Sequence, residues 1–222
     1  MNKLSFYPTE QQKVMLMEGI GLMCQIFWGP NPEQCEQMLQ GAFFRPFEEL
    51  DAVPNFQFPD VFKKFKSIIN SYSDPNLFFD KLEEDYVCLF ISDRGGIAAP
   101  IYQSCYESET AQLMGPSAIQ MKYRIESKGL HLADHLQEPP DHLCIELEYL
   151  YFIMQKGWND NNSAYIEEGT AFALEIMLPW VDRFCKKIAH RHPESFYAIS
   201  ASVLCALLNL IAGIDNARKN TI

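Results

Sequence analysis

Two adjacent prolines followed by a helical apolar pattern set the frame for this chain. Pro139 and Pro140 cannot lie inside a helix, because proline lacks the amide hydrogen and its ring clashes with the preceding turn. Behind them, Leu143, Leu147, Leu150 and Met154 recur at intervals of four, three and four. That spacing places them on one face of a helix covering Asp141 to Lys156, with the face turned to a core. Asp141 and His142 then stand at the helix start. Free amide hydrogens and the positive end of the helix dipole favour an anion there, so Asp141 is expected to cap. The same dipole disfavours the His142 cation while the Asp141 carboxylate favours it, which leaves the net effect open. His142 and Glu146 are four apart and can meet on one face.

Helical spacing extends along the rest of the chain. Val14, Met17, Leu22 and Ile26 define a helix from Glu10 to Trp28, ended by Gly29-Pro30-Asn31-Pro32. A short helix over 33–40 follows, with Pro32 at its first position. Residues 43–60 are broken by Pro46, Pro54 and Pro59 and read as loop and short turns. Helical spacing resumes over 60–72. Asp74-Pro75 reads as cap and first helical residue of a helix through Phe78, Leu82, Tyr86, Leu89 and Phe90. A loop over 97–106 and a short helix over 107–114 come next. Ser117 is expected to cap a helix reaching Lys128, with Gly129 behind it. Residues 130–140 read as a linker. Three helices close the chain, over 141–156, 163–190 (kinked or split at Pro179) and 193–217. Alternation of strand length is scarce. The expected fold is all-α, a bundle of about ten helices.

Charge and motifs narrow the function. Lys plus Arg number 18 against 29 Asp plus Glu, a formal charge of −11. Such a surface repels nucleic acid and anionic lipid and suits a basic peptide or protein partner. The seven cysteines are odd in number and form no Cys-x-x-Cys pair, as expected of reduced thiols in a cytosolic protein. Met1 to Glu10 lacks the pattern of a signal peptide. The most apolar run, Ile199 to Ile214, carries Ser200, Ser202, Cys205 and Asn209. It falls short of the ~20 apolar residues that span a bilayer, so it reads as a core helix and no stable membrane insertion is expected. An enzyme is disfavoured. His131 and His135 flank Asp134 without a His-Glu-x-x-His pattern, Gly95-Gly96 has no lysine behind it to cradle phosphate, and no Gly-x-Ser-x-Gly occurs. No catalytic residue, metal or cofactor is therefore expected. The alternative is a helical scaffold or sensor that dimerises or holds a ligand among the phenylalanines of its middle section.

Three motifs carry a family resemblance. Glu138-Pro139-Pro140-Asp141-His142-Leu143, continuing through Glu146-Leu147-Glu148-Tyr149-Leu150, resembles the signature of the TorD/DmsD family. Asp85-Tyr86-x-x-Leu89-Phe90 and Pro100-x-Tyr102-x-Ser104-x-Tyr106 resemble that family's second block at its usual spacing. The resemblance covers residues 80 to 155. Ile91 to Arg94 departs from it where Gly-Pro is common, and Tyr102 stands where tryptophan is frequent.

The resemblance implies a helical bundle in two lobes, 1–129 and 141–222, joined by a hinge at 130–140. It implies a monomer or a lobe-swapped homodimer. It also implies a cytoplasmic chaperone that binds the twin-arginine leader of a molybdenum oxidoreductase catalytic subunit and holds it for cofactor insertion before export. Carried over, the leader-binding residues would be Leu89, Phe90, Pro100, Tyr102, Asp141 and His142. Ser104 and Tyr106 match the motif in less defined roles. Carboxylates pair well with guanidinium groups, and an apolar helix docks on aromatic and aliphatic side chains. The expectation is that Asp141 or Glu146 reads an arginine while His142 orients the carboxylate. Asp141→Ala and His142→Ala should then weaken leader binding and leave the melting temperature unchanged.

Overall fold

A computed structural model of the chain describes residues 6–50, 53, 59–92, 96–108, 113–133 and 136–215. Among these, the regular structure is helical, joined by two isolated β-bridges. The helices are α1 Glu10–Trp28, α2 Pro32–Leu39, α3 Arg45–Leu50, α4 Pro59–Asn70, α5 Pro75–Tyr86, α6 Pro116–Ser127, α7 Leu143–Asn159, α8 Ser163–Ala171, α9 Leu178–Arg191 and α10 Phe196–Ala212.

Short polar side chains open half of them. Thr9 and Gln12 form a reciprocal cap on α1, and Asn31, Asp74, Asn162 and Ser195 each accept an amide of the helix they precede. Several boundaries differ from the sequence reading. α6 is capped by Gly115, and Ser117 lies inside it with its hydroxyl used elsewhere. α7 is capped by His142 rather than Asp141. The Phe-rich stretch contains α3, where Pro46 sits in the first turn and needs no amide partner. The break in 163–190 is a wide turn over Phe172–Met177, closed by the Leu178 amide on the Ala173 carbonyl. Pro179 falls in the first turn of α9. Of the short helix expected over 107–114, residues 109–112 lie outside the described set. The last helix is shorter than the expected 193–217: it starts at Phe196 behind the Ser195 cap and ends at Ala212, because Ile214 turns out to pair with Phe6.

α1 packs along α7, and α10 lies against α1, α4 and α9. The buried apolar residues form one connected core. Leu16, Met23 and Phe27 of α1 belong to it with Leu147, Leu150 and Met154 of α7 and Tyr197, Leu204 and Leu208 of α10. This core draws on both sides of segment 130–140. Leu130, Leu132 and Leu136 of that segment lean on it. Phe6 pairs with the chain beyond α10, its amide donating to the Gly213 carbonyl at 3.0 Å.

Candidate functional site

The site is built where the loop after α5 meets the start of α7. The Pro139 carbonyl accepts the His142 amide at 3.0 Å, a turn that stops the proline pair and releases the chain into α7. His142 has extended backbone, and its Nδ1 accepts the Cys144 amide at 3.1 Å. That cap needs a neutral ring with a free lone pair. Burial supplies the condition by lowering the His142 pKa to about 4, against the opposing pull of Glu138 and Asp141. The ring stacks on Trp28 at 4.6 Å and meets Tyr102 edge-on at 5.2 Å.

A strap over 97–106 is stitched to this corner. Tyr102 and His142 form an antiparallel bridge: the Gln103 amide donates to the Asp141 carbonyl, and the Leu143 amide to the Ile101 carbonyl, both at 3.0 Å. The Asp141 side chain adds two bonds. Its Oδ2 accepts the Ser104 amide at 2.7 Å and the Ser117 hydroxyl at 3.1 Å, joining the strap and α6 to the foot of α7. The Tyr102 hydroxyl donates to Glu138 Oε2 at 2.6 Å, and the Tyr106 hydroxyl donates to the Pro100 carbonyl at 2.8 Å.

One turn into α7, Glu146 is fully buried. Trp180 Nε1 donates to its Oε2 at 3.0 Å. Burial pushes its carboxyl well above the usual range, an effect that the Trp180 bond opposes and the Asp141 charge reinforces. Three buried polar atoms in this region lack a hydrogen-bond partner: Asp141 Oδ1, Glu146 Oε1 and Ser104 Oγ.

Leu89 and Phe90 lie inside a wide turn over Val87–Ile91, closed by the Ser92 amide on the Val87 carbonyl at 2.9 Å. The Leu89 carbonyl accepts the Ala99 amide, which anchors the strap at its other end. Phe90 is surrounded by Phe27, Tyr86, Phe184 and Tyr197, with ring centres 5.0 to 6.2 Å away.

The structure therefore brings the expected residues together, but inside the protein. Leu89, Phe90, Pro100, Ser104, Tyr106, Asp141, His142 and Glu146 are buried, and Tyr102 is half-buried. His142 commits its Nδ1 to the helix cap. Trp28, Ser117 and Trp180 complete the site and were not expected. They come from α1, α6 and α9, far off in sequence, and no motif marks them. Among the described residues, no group of His, Cys, Asp or Glu is placed to hold a metal. The Asp134 and His135 of the weighed metal pair lie outside those residues.

Comparison with known proteins matches this arrangement to a family. A family model described as nitrate reductase delta subunit matches residues 61–186, which contain all three motifs. A chaperone protein TorD from Photobacterium profundum is 26% identical over 168 residues, 73% of this chain and 76% of that protein. Another from Histophilus somni is 28% identical over 185 residues, covering 80% and 86%. A third, from Vibrio vulnificus, is 28% identical over 134 residues, and the match spans 62% of its length. A crystal structure from Archaeoglobus fulgidus, assigned to redox enzyme maturation, superposes with a TM-score of 0.51 at 20% identity. It covers 92% of this chain and 97% of that one, and supports the fold. The chain belongs to the nitrate reductase delta subunit family, with the TorD chaperones among its relatives.

Proposed function

We propose that this protein is a cytoplasmic maturation chaperone for a molybdenum-cofactor oxidoreductase, and that it binds the twin-arginine leader of the catalytic subunit until the cofactor is in place. Relatives that carry the name chaperone, rather than that of an enzyme, support this reading. So does the absence, among the described residues, of any helix long and apolar enough to cross a membrane.

The observation that carries the proposal is the stitching of the motif blocks. The Tyr102–His142 bridge and the Asp141 clamp on Ser104 join segments whose motif residues are tens of positions apart. Those motifs thus specify one structural corner. On this reading, Asp141, His142 and Glu146 hold the strap and α7 in register. Leader contact falls to neighbouring residues that reach solvent, Tyr102 among them.

The test is capture from native cytoplasm combined with calorimetry. A large molybdenum-type reductase subunit still carrying its leader should co-purify, and a twin-arginine leader peptide should bind. Finding no such subunit together with no heat of binding for any leader would overturn the proposal.

A further inference from the structure

α9 and α10, joined through 192–195, bring two cysteines together outside the site described above. Cys185 of α9 and Cys205 of α10 are both free and half-buried, and their sulfurs stand 2.8 Å apart. Cys185 has one hydrogen and donates it to the Ala201 carbonyl at 3.2 Å. Cys205 is therefore the donor in the sulfur–sulfur contact. Ala201 lies four residues before Cys205, so the two share one face of α10. Trp180 and Phe184 of α9 are in the core, and Trp180 holds Glu146. The cysteine pair thus lies on the helix that the buried corner leans on.

The remaining thiols are arranged differently. Cys24 and Cys144 are buried, and each sulfur donates to the other's carbonyl, at 3.6 and 3.4 Å. Cys35 and Cys105 are buried as well, and Cys88 lies 3.6 Å from His192 Nε2. Among the described residues, the 185–205 pair alone combines sulfur-to-sulfur contact with partial exposure. Its separation favours one chemistry. A disulfide bond is about 2.05 Å long, so closing it asks for a shift of less than about 1 Å. Two thiolates sharing a zinc ion at about 2.3 Å each would stand about 3.8 Å apart, so a metal would have to push these sulfurs away from each other.

We propose that Cys185 and Cys205 form a reversible dithiol–disulfide site, oxidised by a low-molecular-weight disulfide and tying α9 to α10 when closed. The step balances as thiol–disulfide exchange. Cys205, having released its proton to solvent, attacks one sulfur of the small disulfide. A mixed disulfide forms on Cys205 and one small thiol leaves. Cys185 then gives up its proton and attacks the Cys205 sulfur, expelling the second small thiol. The two cysteines lose two hydrogens and the small disulfide gains them. Cys205 goes first because Cys185 is held as the thiol. Its hydrogen is engaged by Ala201, and the contact with Cys205 and burial push its pKa well up. The first of these two causes disappears once Cys205 carries the small thiol. The finished bond closes a loop of 20 positions, which restricts the unfolded chain and raises stability. In a reducing compartment the site stays open, and a shift of the thiol pool toward disulfide closes it. The site is independent of the function proposed above.

Intact-mass spectrometry of the full chain tests this, after incubation with oxidised glutathione and blocking of the free thiols. The wild type should lose about 2 Da, leaving five of its seven cysteines to be blocked. Peptide mapping should place the bond between 185 and 205. The melting midpoint should rise by about 5 °C or more on oxidation and fall back on treatment with dithiothreitol. Cys185→Ser should stop at the mixed disulfide, gaining about 305 Da on Cys205. Cys205→Ser should take up glutathione at position 185 more slowly than Cys185→Ser does at 205. Circular dichroism confirms that both variants are folded, and the wild-type measurements decide alone if a variant unfolds. If the oxidised wild type keeps all seven thiols free, the proposal is overturned. It is equally overturned if Cys205 holds glutathione without closing, or if the bond that forms joins Cys24 to Cys144 and leaves 185 and 205 free.

Discussion

Asp141 shows how a side chain can sit in a functional motif and act through structure. Its carboxylate holds the Ser104 amide and the Ser117 hydroxyl, and water does not reach it. Asp141→Ala leaves two buried donors without an acceptor, each costing about 1–3 kcal/mol. At about 2–4 °C per kcal/mol for a chain of this size, the melting midpoint should fall by several degrees in scanning calorimetry. An unchanged midpoint would show that the strap is held by other contacts. The sequence reading expected no change, because it gave the Asp141 carboxylate to a leader arginine. Glu146 and His142 make stability depend on pH with opposite signs. Burial raises the Glu146 pKa above 4.5, so the stability from its neutral form is complete in acid and is lost as pH rises. His142 is lowered from 6.5 to about 4, so its contribution grows as pH rises through that window. Above it, only the Glu146 slope remains of these two. Glu146→Gln removes that slope. Its melting midpoint relative to wild type should therefore be higher at pH 8 than at pH 5. An equal difference at both values would mean that Glu146 carries the same charge throughout.

At the scale of elements, two devices shape the bundle that helical periodicity alone does not express. Wide turns at Val87–Ile91 and Phe172–Met177 each add a residue to a helical turn. The helices on either side therefore shift phase. The first of them carries Leu89 and Phe90 into the core. The second device is close approach. A Cβ at Gly157 would run into Ile166, and one at Gly169 into Met154. These two glycines set how near α7 and α8 lie. The buried foot of α7 adds a third effect. Because His142 supplies the cap, Asp141 is free to clamp the strap. Cap and clamp are divided between adjacent residues whose order in the sequence suggests the reverse.

For the whole molecule, the question is whether the chain melts as one body. A single core runs through α1, α7 and α10 and draws on residues before and after 130–140. Scanning calorimetry should give one cooperative transition with equal calorimetric and van't Hoff enthalpies. Two resolved transitions would support independent lobes at 1–129 and 141–222. The net charge of −11 acts at the same scale. It draws a cationic peptide toward the surface at low salt and leaves the choice of docking face to local side chains.

The sequence by itself determined the helical class, because apolar spacing near 3.6 residues has one economical burial and because proline, glycine and short polar residues punctuate its ends. The end of α1 was readable in Gly29-Pro30, while its Thr9 cap became visible only in the structure. The family was legible in the motifs over 85–90, 100–106 and 138–150. Only the tertiary structure decided which side of those motifs faces water. Motif residues can be retained for packing or for contact, and their spacing is the same in either case. Trp28, Ser117 and Trp180 meet the α7 foot across 24 to 120 positions of chain, distances over which local pattern carries no information. The wide turn after α5 is likewise invisible to a 3.6-residue period. It is this turn that buries Leu89 and Phe90 and leaves Val87 and Ile91 exposed beside the carboxylates of α5.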